Sequence, residues 1–173
     1  MKNKVLFLPG FHSKSFNPLE KGKEIKECLE KAGFKVYVSN YSHGQPTRKP
    51  LSAYAKVAKM ELETIKPTAI IAHSMGGLVA LYSILQSNYQ PHKLILLETP
   101  INGVPLWAMK IWTMKIGRVI DWQSIQDMLR NSAFIQQLNR MWQMRRSQIR
   151  IICFQIGGTY SWLFRGIFIT PKI

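Results

Sequence analysis

The chain has 173 residues, of which 46% are hydrophobic and 19% charged. That is enough apolar material for one domain with a real core, and it excludes repetitive, low-complexity and disordered classes. Lys and Arg number 24 against 9 Asp and Glu, a net charge of +15. Such a charge favours anionic partners such as acidic lipid headgroups or anionic substrates. The basic residues are scattered, however, and no nucleic-acid-binding motif is present, so a solvated basic surface explains them equally well and no nucleic acid is expected.

Val5 to Leu8 is a continuous apolar run, as a strand buried on both faces requires. The run breaks at Pro9-Gly10, too early for a signal peptide, and no stretch reaches transmembrane length. The expected location is therefore the cytoplasm. Asn17-Pro18-Leu19-Glu20 reads as a helix start, with Asn17 as cap and Glu20 closing a capping box. Ile25, Cys28, Leu29 and Ala32 form one apolar face and Gly33 ends the helix. Lys35 to Val38 is a second strand, followed by a polar loop from Ser39 to Pro50 that holds His43. Leu51, Tyr54, Ala55, Ala58, Leu62 and Ile65 mark an amphipathic helix stopped by Pro67.

Ala69 to Ala72 is a third strand, and an almost wholly apolar helix runs from Ser74 to about Asn88. Leu94 to Leu97 is a fourth strand, followed by Glu98-Thr99-Pro100-Ile101-Asn102-Gly103. Trp107, Ile111 and Met114 then recur at helical spacing, with Lys110 and Lys115 toward other faces. Residues 104–122 read either as a lid that touches lipid or as a cap helix packed on the core. Ser132 opens a helix carrying Phe134, Ile135, Leu138 and Met141, and Ile149 to Ile156 is a fifth strand. Cys28 and Cys153 fall on apolar faces and read as buried thiols. No metal-ligand spacing or cofactor motif is found, and none is expected. Strands alternating with helices imply right-handed crossovers and a parallel sheet, with reactive groups at the carboxyl ends of the strands.

The informative stretch is Ala69-Ile70-Ile71-Ala72-His73-Ser74-Met75-Gly76-Gly77, a strand running into a helix through a serine flanked by small residues. This is the pattern of a nucleophile elbow, with Ala72 in place of the first glycine. A serine hydroxyl is a weak nucleophile and must be exposed, oriented and served by a base. Ala72 and Gly76 are small because strand and helix converge there. The Met75 N–H, at the helix start, faces any oxyanion that forms at Ser74.

Four places resemble the α/β-hydrolase superfamily, of the lipase/esterase kind. They are Val5-Leu6-Phe7-Leu8-Pro9-Gly10-Phe11, the elbow around Ser74, Glu98-Thr99-Pro100-Ile101-Asn102-Gly103, and Gln126-Asp127-Met128 with Asn131 to Leu138. The resemblance implies a three-layer α/β/α fold with a mostly parallel sheet of about five strands in the order 2-1-3-4-5, lacking the last strand of the family core. It also implies a serine hydrolase of carboxylic esters, lipid-like ones above all, with Ser74 as nucleophile and the N–H groups of Phe11 and Met75 as oxyanion hole.

The family pattern also fails in places. It calls for an acid after the fifth strand and a later histidine. Ser161 stands where the acid is expected, and no histidine follows His92. A truncated product, a natural short form and a non-catalytic relative all fit. His92 precedes the fourth strand and lies at the wrong end of the sheet. His73 points away from the path of Ser74 and reads as a packing residue. His12 and His43 lie at the correct end, and His12, whose loop should pass over Ser74, is the candidate base. Glu98 is a candidate acid or a local loop partner. Three functions follow: an ester hydrolase, an inactive pseudo-hydrolase serving as an interaction module, and a basic protein in peripheral contact with anionic membranes. The sequence sets no oligomeric state. An unpaired fifth strand is expected either to be covered by the apolar tail, Trp162 to Ile173, or to associate with other chains.

Overall fold

The computed structural model describes residues 3–12, 19–115, 121–149 and 151–156. Five strands form one parallel sheet: β1 (Lys4–Leu8), β2 (Lys35–Val38), β3 (Ala69–His73), β4 (Lys93–Leu97) and β5 (Ile152–Ile156). Their spatial order is β2-β1-β3-β4-β5, the expected order of the three-layer α/β/α fold. Between them run α1 (Leu19–Lys31), α2 (Leu51–Ile65), α3 (Met75–Gln86), α4 (Leu106–Lys115), α5 (Gln123–Asp127) and α6 (Ala133–Arg145). The proposed cap at Asn17-Pro18, the Ser161 position and the tail Trp162 to Ile173 lie outside the described residues.

The register sorts the strands into two faces, because paired residues of parallel strands share a face. Leu6, Ile70, Leu94 and Cys153 align across one face, with Leu8, Ala72, Leu96 and Gln155 beside them. Leu6, Leu8, Ile70, Ala72, Leu94 and Leu96 are buried in the main core with α2, α3, α5 and α6. α3 is the centre of this layer, buried at every residue from Met75 to Leu85. The Ser83 hydroxyl donates to the Ala55 carbonyl of α2, and Tyr82 stacks on Phe134 of α6 at 5.0 Å.

The opposite face carries Phe7, Ile71, Ile95 and Phe154 in one row. α1 covers its β1–β2 end: a Cβ on Gly22 would meet the Phe7 ring at 3.1 Å and Val38 at 3.2 Å. Toward β5 the cover thins, and Ile152, Phe154 and Ile156 are 49%, 51% and 54% exposed. The expected run from Ile149 is therefore a shorter strand whose side chains alternate between the core and an open face.

Two cysteine expectations are corrected. Cys28 is exposed and Cys153 only half-buried. Only Gly22 of α1 is fully buried among its described side-chain positions, while Ile25 and Leu29 are half-buried. α1 thus lies on the thinner layer, and its apolar stripe, which includes Cys28, is rotated partly to solvent. The segment after β4 is a helix packed on the core through Ala108, Met109 and Thr113. Its Trp107, Ile111 and Met114 face outward, at 57%, 42% and 78% exposure. Residues 116–120 of the proposed lid lie outside the described residues.

Candidate active site

The turn between β3 and α3 has a backbone that only a tightly held residue adopts. Ser74 has φ 51° and ψ −123°, a sparsely populated region that costs about 1–3 kcal/mol. Two backbone bonds hold it: its N–H donates to the Leu97 carbonyl at 2.8 Å, and its carbonyl accepts from Gly77 at 3.0 Å. α3 begins at the next residue, so the Met75 N–H is one of the first-turn amides without an intrahelical acceptor.

Glycines around this turn are required by close approach. A Cβ on Gly76 would collide with the carbonyls of Leu8 and Pro9, and one on Gly77 with the side chain of Thr99. The obstacle at Gly76 is thus the end of the neighbouring strand, rather than β3 meeting its own helix. A Cβ on Gly10 would lie 2.9 Å from His73 Nδ1 and 3.2 Å from Ser74 Cβ. The loop after β1 therefore crosses directly over the serine turn.

That loop is anchored by residues that belong to no motif. The buried Tyr41 hydroxyl donates to the Pro9 carbonyl at 2.6 Å and reaches that of Gly10 at 3.2 Å. Burial pushes its pKa well above the ordinary phenol range, so it remains a donor. Thr47 pairs with His12 in both directions: the His12 N–H donates to Thr47 Oγ1, and Thr47 N–H and Oγ1 both donate to the His12 carbonyl. The Ser124 hydroxyl in turn donates to the Thr47 carbonyl. Tyr41 and Thr47 sit in what reads as a featureless polar loop; only their hydrogen-bonding capacity hinted at the role.

The expected site residues fall as follows. Phe11 is buried with its ring 5.6 Å from that of Trp122. His12 is 9% exposed, and its Nδ1 has no hydrogen-bond partner. Burial lowers its pKa below the usual imidazole value, so the ring is neutral at pH 7 and able to accept a proton. His43 is exposed in a turn at φ 52°. His92 is exposed ahead of β4, at the amino end of the sheet. His73 shares the face of Leu97 and Ile156, as alternation requires, but it is more than a packing residue. Its Nε2 lies 3.5 Å from Glu98 Oε2, with both side chains part exposed. Glu98, at φ 51°, is thus the partner of His73, and among the described residues no carboxylate pairs with His12.

The other two recurring stretches have structural work. Gly103, at φ 73°, allows backbone contact with Arg130 that a Cβ would block, beside the bridge of Val104 with Leu129. Asp127 accepts from the Leu51 N–H at 2.8 Å and from Gln123 Nε2 at 2.8 Å. It caps α2, whose own cap residue, Pro50, offers no side-chain bond.

Solved structures with this architecture share little sequence with the chain. An extracellular α/β-hydrolase from a Paenibacillus species superposes with a TM-score of 0.51 at 13% identity, over 65% of this chain and 50% of its own. The phospholipase PlaB of Legionella pneumophila gives 0.55 at 16% identity, over 91% of this chain and 38% of its own. A carboxylesterase of the thaumarchaeon Nitrososphaera gives 0.52 at 11% identity, over 91% and 82%. The chain thus spans half or less of the length of the first two. No curated protein sequence matches it. The family model described as "Alpha/beta hydrolase family" matches residues 5–165, and the chain belongs to that family.

Proposed function

We propose that the chain is a serine hydrolase of carboxylic esters, with lipid-like acyl esters as its substrate class. The observation that carries this reading is the Ser74 turn, strained at φ 51° and roofed by the Gly10 loop. Ser74 Oγ attacks the ester carbonyl while its proton passes to a base, for which buried, neutral His12 is the candidate. The N–H groups of Met75 and Phe11 receive the oxyanion. The intermediate collapses, the C–O bond breaks and the alcohol leaves with the proton; water then releases the acid from the acyl-serine by the same steps. The carboxylesterase and phospholipase among the similar folds agree with this chemistry. The test is turnover of 4-nitrophenyl esters of graded acyl length: Ser74→Ala should remove it, and turnover equal to wild type would reject the assignment.

A second reading, a pseudo-hydrolase, is favoured by two observations: Glu98 serves His73, and among the described residues His12 Nδ1 has no partner. Robust turnover dependent on Ser74 rejects it. The outward face of α4 supports peripheral contact with anionic membranes, since it offers Trp107, Ile111 and Met114 beside Lys110 and the helix has no acidic residue. Stronger sedimentation with anionic than with neutral vesicles, reduced by Trp107→Ser, is the expected result; equal sedimentation counts against it.

A further inference from the structure

Most of the basic residues are spread over the surface, but Arg48 is mounted. Its guanidinium carbon lies 4.8 Å from the centroid of the Trp122 ring, and Trp122 in turn packs on Phe11. Its backbone is fixed on both sides: the Arg48 N–H donates to the Pro46 carbonyl at 2.9 Å, preceding Thr47 is bonded to His12, and the following Lys49 N–H donates to the Tyr54 hydroxyl at 2.9 Å. One aromatic layer therefore separates a held cation from the loop that roofs Ser74. Arg48 is exposed, and among the described residues no carboxylate lies within ion-pair distance of it. A second stacked cation among the described residues, Lys35 over Tyr37, sits at the start of β2, the amino end of the sheet, and has no such relation to the serine.

A guanidinium stacked on an aromatic face keeps its N–H edge free, and its plane is already oriented for two parallel bonds to an oxyanion. We infer that Arg48 is a specificity residue, and that the ester taken at Ser74 carries an anionic oxygen group, carboxylate or phosphate, which the Arg48 edge binds. The inference rests on the ester-hydrolase reading and narrows its substrate class. It also explains why Trp122 contacts both residues: one indole fixes the anion-binding edge and the oxyanion loop in a common frame.

The experiment compares matched esters at low ionic strength. On the acid side these are 4-nitrophenyl hydrogen adipate, its phosphonate-terminated analogue and neutral 4-nitrophenyl hexanoate. On the alcohol side they are the hexanoates of 4-hydroxybenzoate and of 4-hydroxybenzamide. The expected result is a kcat/KM ratio, anionic over neutral, of at least about tenfold in one set, as a charge-assisted pair gives. The carboxylate and phosphonate arms show which oxyanion is preferred. Arg48→Met should bring the ratio toward one, Arg48→Lys should leave an intermediate value, and added salt should lower the wild-type ratio. A ratio near one in both sets overturns the inference. So does an Arg48→Met variant that slows anionic and neutral esters in proportion, which is what a merely structural arginine would do. If wild type turns over none of these esters, the hydrolase reading fails by itself. Calorimetric titration with adipate then decides the anion site: binding lost in Arg48→Met sustains it, and no binding to wild type overturns it.

Discussion

On one face of the sheet Leu6, Leu8, Ile70, Ala72, Leu94 and Leu96 vanish beneath α2 and α3. On the other, Phe7 is as deeply buried, but its row-mates Ile71 and Ile95 are half-buried and Phe154 is half open. The strands are equally apolar on both sides, so composition does not make the difference. What differs, among the described residues, is the number of helices that lie on each face. The sealed face carries the machinery: α3 grows from the serine turn, and α2 and α5 hold the loops that contain Thr47 and Trp122. The strain at Ser74 needs such over-determined surroundings to persist.

The largest effect expected from this comparison is on the sealed face. Leu96→Ala should cost about 2–5 kcal/mol, since a fully buried leucine leaves a cavity. Urea denaturation monitored by tryptophan fluorescence measures it. Next comes the cap that ties α2 to α5. Asp127→Ala removes the acceptor of the Leu51 N–H and should cost about 1–2 kcal/mol, with Asp127→Asn retaining most of the loss-free value because its carbonyl still accepts. On the open face, Phe154→Ala should cost under about 1 kcal/mol, although burial of a phenylalanine elsewhere is worth several. A loss equal to that of Leu96→Ala would show the two faces to be alike.

The smallest effect concerns pH. The folded His12 binds its proton less readily than in the unfolded chain, whose imidazole keeps the ordinary value near 6.5. Its contribution is therefore fully retained above that value and is lost progressively as pH falls below it, because only the unfolded state gains the proton freely. Urea midpoints between pH 7.5 and 5 should decline for wild type, and less steeply for His12→Gln.

Much of this was legible in the sequence because it rests on local pattern. Alternation of apolar strands and amphipathic helices gave the parallel sheet, the resemblance to the α/β-hydrolases gave its strand order, and Ser74 with Gly76 and Gly77 marked the turn. The face of α2 came out residue for residue, from Leu51 through Leu62. The misreadings share one cause. Periodicity tells which residues lie on one side of an element and not what lies opposite. Cys28 belongs to an apolar stripe on α1, yet the layer there is thin. The stripe of Trp107, Ile111 and Met114 was legible but its side was left open between lipid and core; α4 turns it outward and packs through Ala108, Met109 and Thr113. Tyr41, Thr47 and the His73–Glu98 pair escaped notice because each acts through a partner distant in sequence.

The central claim is that Ser74 is an activated nucleophile, and covalent labelling tests it without knowledge of the substrate. The folded chain is treated with a fluorophosphonate and digested, and the modified peptide is identified by mass spectrometry. The expected result is one label per chain, on Ser74, absent in Ser74→Ala and slowed in His12→Gln. A folded wild type that takes no label, or a Ser74→Ala variant labelled as fast as wild type, would contradict it.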